Sequence, residues 1–376
     1  MTILRAAAAA AAAITLATLG LAGASVPASA TTATPAGAPS GTGGPPTRIA
    51  ASDLSWDLTP TGSTERFRGL SAVSRKVAWV SGTGGTVLRT TDAGATWASV
   101  GPPGTSALQF RDIEASSARH AVILSIGNGT DSRIYVTDDA GATWTESFRN
   151  TDDAAFYDCM AFSSPQRGLA LSDPVDGVFR LIETTDGGRS WSLVNPDGMP
   201  AALPNEFAFA ASGTCLTAGQ GQSTYIGSGG QDRARVFTSQ NRGHTWSVSD
   251  VPVAGGPSAG VFSVQFRDRQ TGIAVGGDFA DATAAVGTAA WTADGITWDV
   301  AKPTPGGYRS GVAWLPHERP VAVAVGPTGS DVTLDEGHSW APFDAGSFDG
   351  VDCAPDGACW ASGEQGRVAR LVIDRH

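Results

Sequence analysis

Carboxylates supply most of the reactive side chains in this 376-residue chain, with 36 Asp and Glu against 25 Lys and Arg. Glycosidic hydrolysis needs two carboxyl groups about 5 to 9.5 Å apart, and Asp158 with Glu206 is the pair to test first. Residues suited to holding a polar ligand accompany them: Arg68, Arg111, Asp112, Tyr157, Tyr308 and Arg309, with Asp152, Asp153, Asp173 and Asp176 from nearby stretches. Such a mixture serves a carbohydrate site or a protein-docking surface equally well, or is simply satisfied by backbone and water. No Cys/His spacing suggests a metal site, and the five histidines are scattered. No Gly-x-Gly-x-x-Gly opens a helix, so no cofactor is expected.

The elements that position these residues are set by a repeat. The phrase Thr-x-Asp-x-Gly-x-Thr-Trp, or a close variant, occurs six times and ends on Trp97, Trp144, Trp191, Trp246, Trp298 and Trp340. The steps are 47, 47, 55, 52 and 42 residues, a period expected of four short strands per unit in a β-propeller. The acidic positions are Asp92, Asp139, Asp186, Asn241, Asp294 and Asp335. Each side chain can accept backbone N–H bonds two or three residues ahead, and the glycine supplies a positive φ. The Trp begins the outer strand and wedges between blades, where burial contributes roughly 2–3 kcal/mol. These aspartates therefore read as structural, on the outer rim.

Upstream of each phrase comes an inner strand, then a second strand such as Val77-Ala78-Trp79-Val80-Ser81-Gly82, then a third such as Val87-Leu88-Arg89-Thr90. In blade four, residues 215–219 take the second-strand place, leaving 220–232 with Tyr225 as a long loop; blade five carries a second long loop from Gly277 past Asp278. Long loops on a rigid ring are where binding sites gather. After Trp340 the chain offers three more strands, and Trp56 precedes Trp97 by 41 residues without its own phrase. The segment around Trp56 is expected to pair with the C-terminal strand and close a seventh blade, removing an open edge. The fold class is therefore all-β, a seven-bladed propeller over residues 52–376, with a six-bladed ring plus appendage as the alternative. In this arrangement Asp158 and Glu206 would be inner-strand neighbours on adjacent blades.

Residues 1–30 read as an export signal, with Arg5, an Ala-rich apolar core and Ala28-Ser29-Ala30 at the cleavage site. Residues 31–51, rich in Thr, Ala, Pro and Gly, read as a flexible linker. The expected product is a secreted monomer with no membrane insertion after signal removal. Its formal charge falls from −11 to −12 when Arg5 is lost, and an acidic chain without a basic run is not expected to bind nucleic acid. Cys353 and Cys359 flank the turn Pro355-Asp356-Gly357 and are expected to pair. Cys159 and Cys215 fall in neighbouring blades, and their pairing stays open.

The repeat unit, as in residues 78–97, resembles that of the photosystem II stability/assembly factor-like propellers, and the Asp phrase resembles the Asp-box, or BNR repeat, of sialidases. The first resemblance implies a non-catalytic assembly or binding propeller with a protein or carbohydrate ligand; the second implies a glycoside hydrolase or lyase as the alternative. The sialidase pattern also asks for Arg-Ile-Pro, three arginines holding a carboxylate, and a Tyr–Glu nucleophile pair. Its nearest counterparts, Arg48-Ile49-Ala50 and Arg133-Ile134-Tyr135, do not fit.

Overall fold

The computed structural model describes residues 49–375, so the expected signal and nearly all of the linker lie outside the described residues. Ile49 and Ala51, placed in the linker by composition, pack against the apolar cluster of the last two blades. Seven four-stranded antiparallel sheets follow. Blade one is Phe67–Ala72, Ala78–Gly82, Val87–Thr90 and Ala98–Ser99. Its second strand, Ala-Trp-Val-Ser-Gly, is buried throughout because both faces meet neighbouring sheets.

Each phrase closes the turn into the outer strand. Asp92 Oδ1 accepts from Thr96 N at 2.9 Å and Oδ2 from the Thr96 hydroxyl at 2.6 Å. Thr90 Oγ1 donates to Asp92 and accepts from Gly94 N. The backbone bond therefore spans four residues rather than the expected two or three; the shorter span appears in the shortened copy, where Asp294 accepts from Ile296 N and Thr297 N, and beside the longer one at Asp186, which also accepts from Arg189 N. Asn241 makes the same turn, donating from Nδ2 to Thr245 Oγ1. Each tryptophan then packs against the preceding blade. Trp97, for example, meets Trp360 of blade seven edge-on at 6.0 Å.

The ring closes at Leu54–Thr59, which pairs antiparallel with Val368–Ile373 from Leu54↔Ile373 to Thr59↔Val368. Trp56 Nε1 donates to Ser330 Oγ at 2.9 Å, and its ring packs on Phe343 and Phe348 of the neighbouring blade. Trp56 thus takes the interblade wedge without the turn phrase. The count is seven, not six.

Blade four departs from the sequence reading. Its inner strand is Leu216–Ala218 and its second strand is Thr224–Ser228, so Tyr225 is strand core, stacked on Phe266 at 3.7 Å, and not a loop residue. The glycine that disguised this strand is required: a Cβ on Gly227 would stand 2.5 Å from Val261 Cγ1 of the next blade. The extra length of this repeat lies instead at residues 194–215, before the inner strand. The blade-five insertion is where it was expected, with a turn at Phe279–Asp281 between Gly272–Asp278 and Ala289–Thr292.

Both disulfides form: Cys353–Cys359 within a hairpin and Cys159–Cys215 between blades three and four. Two disulfides fit a chain matured in an oxidising compartment outside the cytosol. No helix among the described residues is long and apolar enough to cross a membrane.

Two stability outcomes follow. Trp56→Ala is expected to cost about 3 kcal/mol in chemical denaturation, whereas Leu58→Ser, at a 53% exposed site on the same strand, should cost almost nothing. Replacing Cys159 and Cys215 by Ala should cost about 4 kcal/mol against about 2 kcal/mol for the Cys353/Cys359 pair, since the bonds span 56 and 6 residues. Equal losses in either comparison would contradict it.

Candidate functional site

Chain direction alternates along each blade, so inner-strand starts and second-to-third-strand turns share one rim, opposite the Asp-box turns. On that rim three guanidiniums meet. Arg66, just before the inner strand of blade one, makes a two-pronged ion pair with Asp349, Nε to Oδ2 at 2.7 Å and Nη2 to Oδ1 at 2.6 Å. Arg68 lies 3.7 Å from the same carboxylate. Arg111 donates to the Ala210 carbonyl at 2.9 Å and to Gln109 at 3.0 Å, and no carboxylate among the described residues lies within ion-pair reach of it. Burial, reinforced by Arg68 and Arg66, pulls its pKa down to about 10. Burial also lowers that of Arg68, while the Asp349 bond raises that of Arg66. Arg66, Arg68, Thr83, Gln109 and Arg111 line a cavity of about 130 Å³.

An acid pair adjoins this mouth. Asp158, on the inner strand Tyr157–Ser164, is 2% exposed and its Oδ2 has no hydrogen-bond partner among the described residues. Asp173 accepts from Ala208 N at 2.9 Å. Burial and then the Asp173 charge push Asp158 well above the usual carboxylate range, and burial pushes Asp173 up to about 6. Deeper in the channel, Asp112, Glu114 and Asp352 line a cavity of about 220 Å³. Asp112 accepts from Met160 N of the next blade at 2.6 Å and Asp352 from Ala72 N at 2.8 Å. Burial raises all three, Asp112 to about 8.

The inner-strand position expected for Glu206 beside Asp158 is not where the chain puts it. Glu206 lies on the 194–215 connection and not on an inner strand. Its carboxylate is taken up by Arg235, Ser228 Oγ and Leu203 N, with Arg235 Nε at 2.7 Å. Arg309 is likewise committed to Asp331, both buried, at 2.6 Å. Tyr157 packs edge-on to Phe148, and burial pushes its hydroxyl up to about 12. Asp176 is an exposed turn residue with φ 55°. Asp278 accepts from Ala280 N and Ser258 Oγ, fixing the start of the blade-five loop.

Arg66, Asp349 and an aromatic group escaped the sequence reading. Phe209 stacks on Phe262 at 3.7 Å, Phe262 meets Tyr308 at 4.6 Å, and Phe207 meets Phe209 at 4.9 Å. Gly229 and Gly260 make this possible, since a Cβ on either would come within 3 Å of Phe209 Cε2. The one available signal was the alternation Phe207-Ala208-Phe209 in a stretch otherwise reading as connection.

No protein-family model and no curated protein sequence matches this chain. Solved structures do. YCF48 bound to D1 peptide superposes with a TM-score of 0.58 at 14% identity, covering 88% of this chain and 99% of that one. YCF48 from Cyanidioschyzon merolae gives 0.60 at 14%, covering 84% and 98%. The WD40 propeller domain of Doa1 gives 0.54 at 14%, covering 86% and 98%. The chain is a seven-bladed β-propeller, and this is the architecture implied by its resemblance to the photosystem II assembly factor-like repeat.

The buried carboxyls make a pH prediction. Asp158, Asp173 and Asp112 have folded-state pKa values above their unfolded ones, so the native state holds protons that the unfolded chain has released. Their effect on stability becomes unfavourable as pH rises from about 4, through about 6 for Asp173 and about 8 for Asp112. The melting temperature should fall across that window. Asp158→Asn, which removes one of these buried acids, should fall less steeply; parallel curves would show that Asp158 ionises normally.

Proposed function

We propose that this chain is an exported, non-catalytic binding propeller that holds an acidic protein segment at the arginine mouth. The observation that carries the reading is Arg111, a half-buried guanidinium beside Arg66 and Arg68 with no carboxylate of its own among the described residues. Three guanidiniums share one carboxylate, Asp349, so a ligand carboxylate would complete the charge balance through charge-assisted bonds. The setting sharpens selection, because a chain of net charge −11 repels an anion everywhere except at a local basic spot. YCF48 has been solved with a peptide bound, which supports the idea that this architecture can seat one. Export rests on the expected signal and is supported by the two disulfides.

Hydrolysis is the weaker reading. Three arginines near a carboxylate are also what the sialidase-like pattern asks for. However, Glu206 is locked to Arg235, and Asp158, at 2% exposure, is too enclosed to reach a glycosidic oxygen.

The reading is tested with a labelled Asp/Glu-rich peptide in fluorescence anisotropy. Affinity should fall about tenfold or more in Arg111→Gln and decline with salt. An Asn/Gln version of the peptide should not bind. Equal binding of the acidic and amide peptides, or indifference to Arg111→Gln, would overturn the proposal.

A further inference from the structure

We infer that the same rim carries a second, apolar seat, which accepts an aromatic or long aliphatic side chain of the segment whose carboxylate enters the arginine mouth. The inference rests on the binding reading above and adds what the mouth alone cannot give, a preference for a particular kind of neighbour to the acid.

The seat is formed by the two segments that lengthen the repeat. From the blade-four connection come Phe207 and Phe209; from the blade-five loop comes Phe279. Phe207 N–H and C=O pair with Gly229, fixing the connection against blade four. The Phe279 ring stands 6.5 Å from Phe209 and 6.2 Å from Phe262, yet Phe279 is 53% exposed. The loop that carries it is held at three points. Its start is held by the Asp278 side chain, its middle by Tyr308 N on the Ala282 carbonyl at 3.1 Å, and its end by Ala254 N on the Gly287 carbonyl at 2.7 Å. A pinned loop that displays an aromatic side chain beside a buried aromatic floor has a hydrophobic contact still to make.

Tyr308 joins this seat to the basic mouth. Its ring packs on Phe262, and its phenol lies within the electrostatic reach of Arg68, Asp349 and Arg66. A single extended segment can therefore run from guanidinium to aromatic floor without leaving the rim. Charge complementarity commits the occupant: an acidic segment carrying an apolar side chain, rather than a second copy of this acidic chain. Aromatic side chains dominate such seats because they bury large area at small entropic cost.

Selection from a display library of random short peptides against the exported protein tests both levels. The expected result is enrichment of Asp or Glu together with Trp, Phe or Leu at one preferred spacing. Phe279→Ser should erase the apolar preference and keep the acidic one. The site is 53% exposed, so the fold should tolerate the change. A selected peptide should lose about tenfold in affinity when its aromatic residue becomes Ser, and this loss should vanish in Phe279→Ser. Acidic enrichment with no apolar preference, or an apolar preference that survives Phe279→Ser, would overturn the inference and leave the arginine-mouth reading standing. Absence of acidic enrichment would overturn that reading and the inference together.

Discussion

A sheet that ends in an exposed strand carries a row of unpaired N–H and C=O groups, and seven sheets in a ring escape this only if the last is completed by the first residues of the fold. Leu54–Thr59 does this by adding to Val368–Ile373 over six residue pairs. Every interblade contact inherits its geometry from that junction, since a ring fixes the angle between any two neighbours once it is closed. The contribution is not only hydrogen bonds. Trp56 enters the wedge position that the other blades fill from their Asp-box turns, so the junction is packed as tightly as the interfaces that are continuous in sequence.

Around the channel the blades are also stitched by polar groups, which cost more to bury. Asp112 reaches from blade two to Met160 N in blade three, Asp352 from blade seven to Ala72 N in blade one, and Asp173 to Ala208 N. Serines do the same at lower cost, as Ser71 Oγ does for Ala115 N and Ser263 Oγ for Val312 N. A carboxylate in this position gains a strong acceptor bond but is desolvated, and the outcome is a pKa raised by burial in Asp112, Asp173 and Asp352.

The architecture was legible because the Asp-box is a local device. Its hydrogen bonds run within a few residues, so its letters recur wherever the turn recurs, and tryptophan spacing then counts blades. The site was less legible because its geometry is not local. Glu206 and Arg309 carried the right chemistry but were each claimed by a partner 29 and 22 residues away, Arg235 and Asp331. Tyr225 was misplaced because a glycine required by the neighbouring Val261 made a strand look like a loop. Arg68 and Arg111 were read as channel-mouth residues from their strand positions, yet Arg66 and Asp349, 283 residues apart, gave no sequence sign of meeting.

The division of labour between ring and rim explains why the proposed recognition falls at the rim. The Asp-box side chains are saturated by their own turns, and the carboxylates at Glu206 and Asp331 by buried arginines, so neither set is free for a ligand. What the fold leaves without a partner of its kind, among the described residues, is the charge of a half-buried Arg111 and the exposed ring of Phe279 on a pinned loop. Both depend on the blade-four connection. Arg111 is held by the Ala210 carbonyl, and the aromatic floor includes Phe207 and Phe209 from the same connection. A single inserted stretch, anchored at Ala208 by Asp173 and at Phe207 by Gly229, thus orients the charged and the apolar parts of the rim together. Loosening that stretch would disturb both at once, whereas changing the loop tip at Phe279 touches only one.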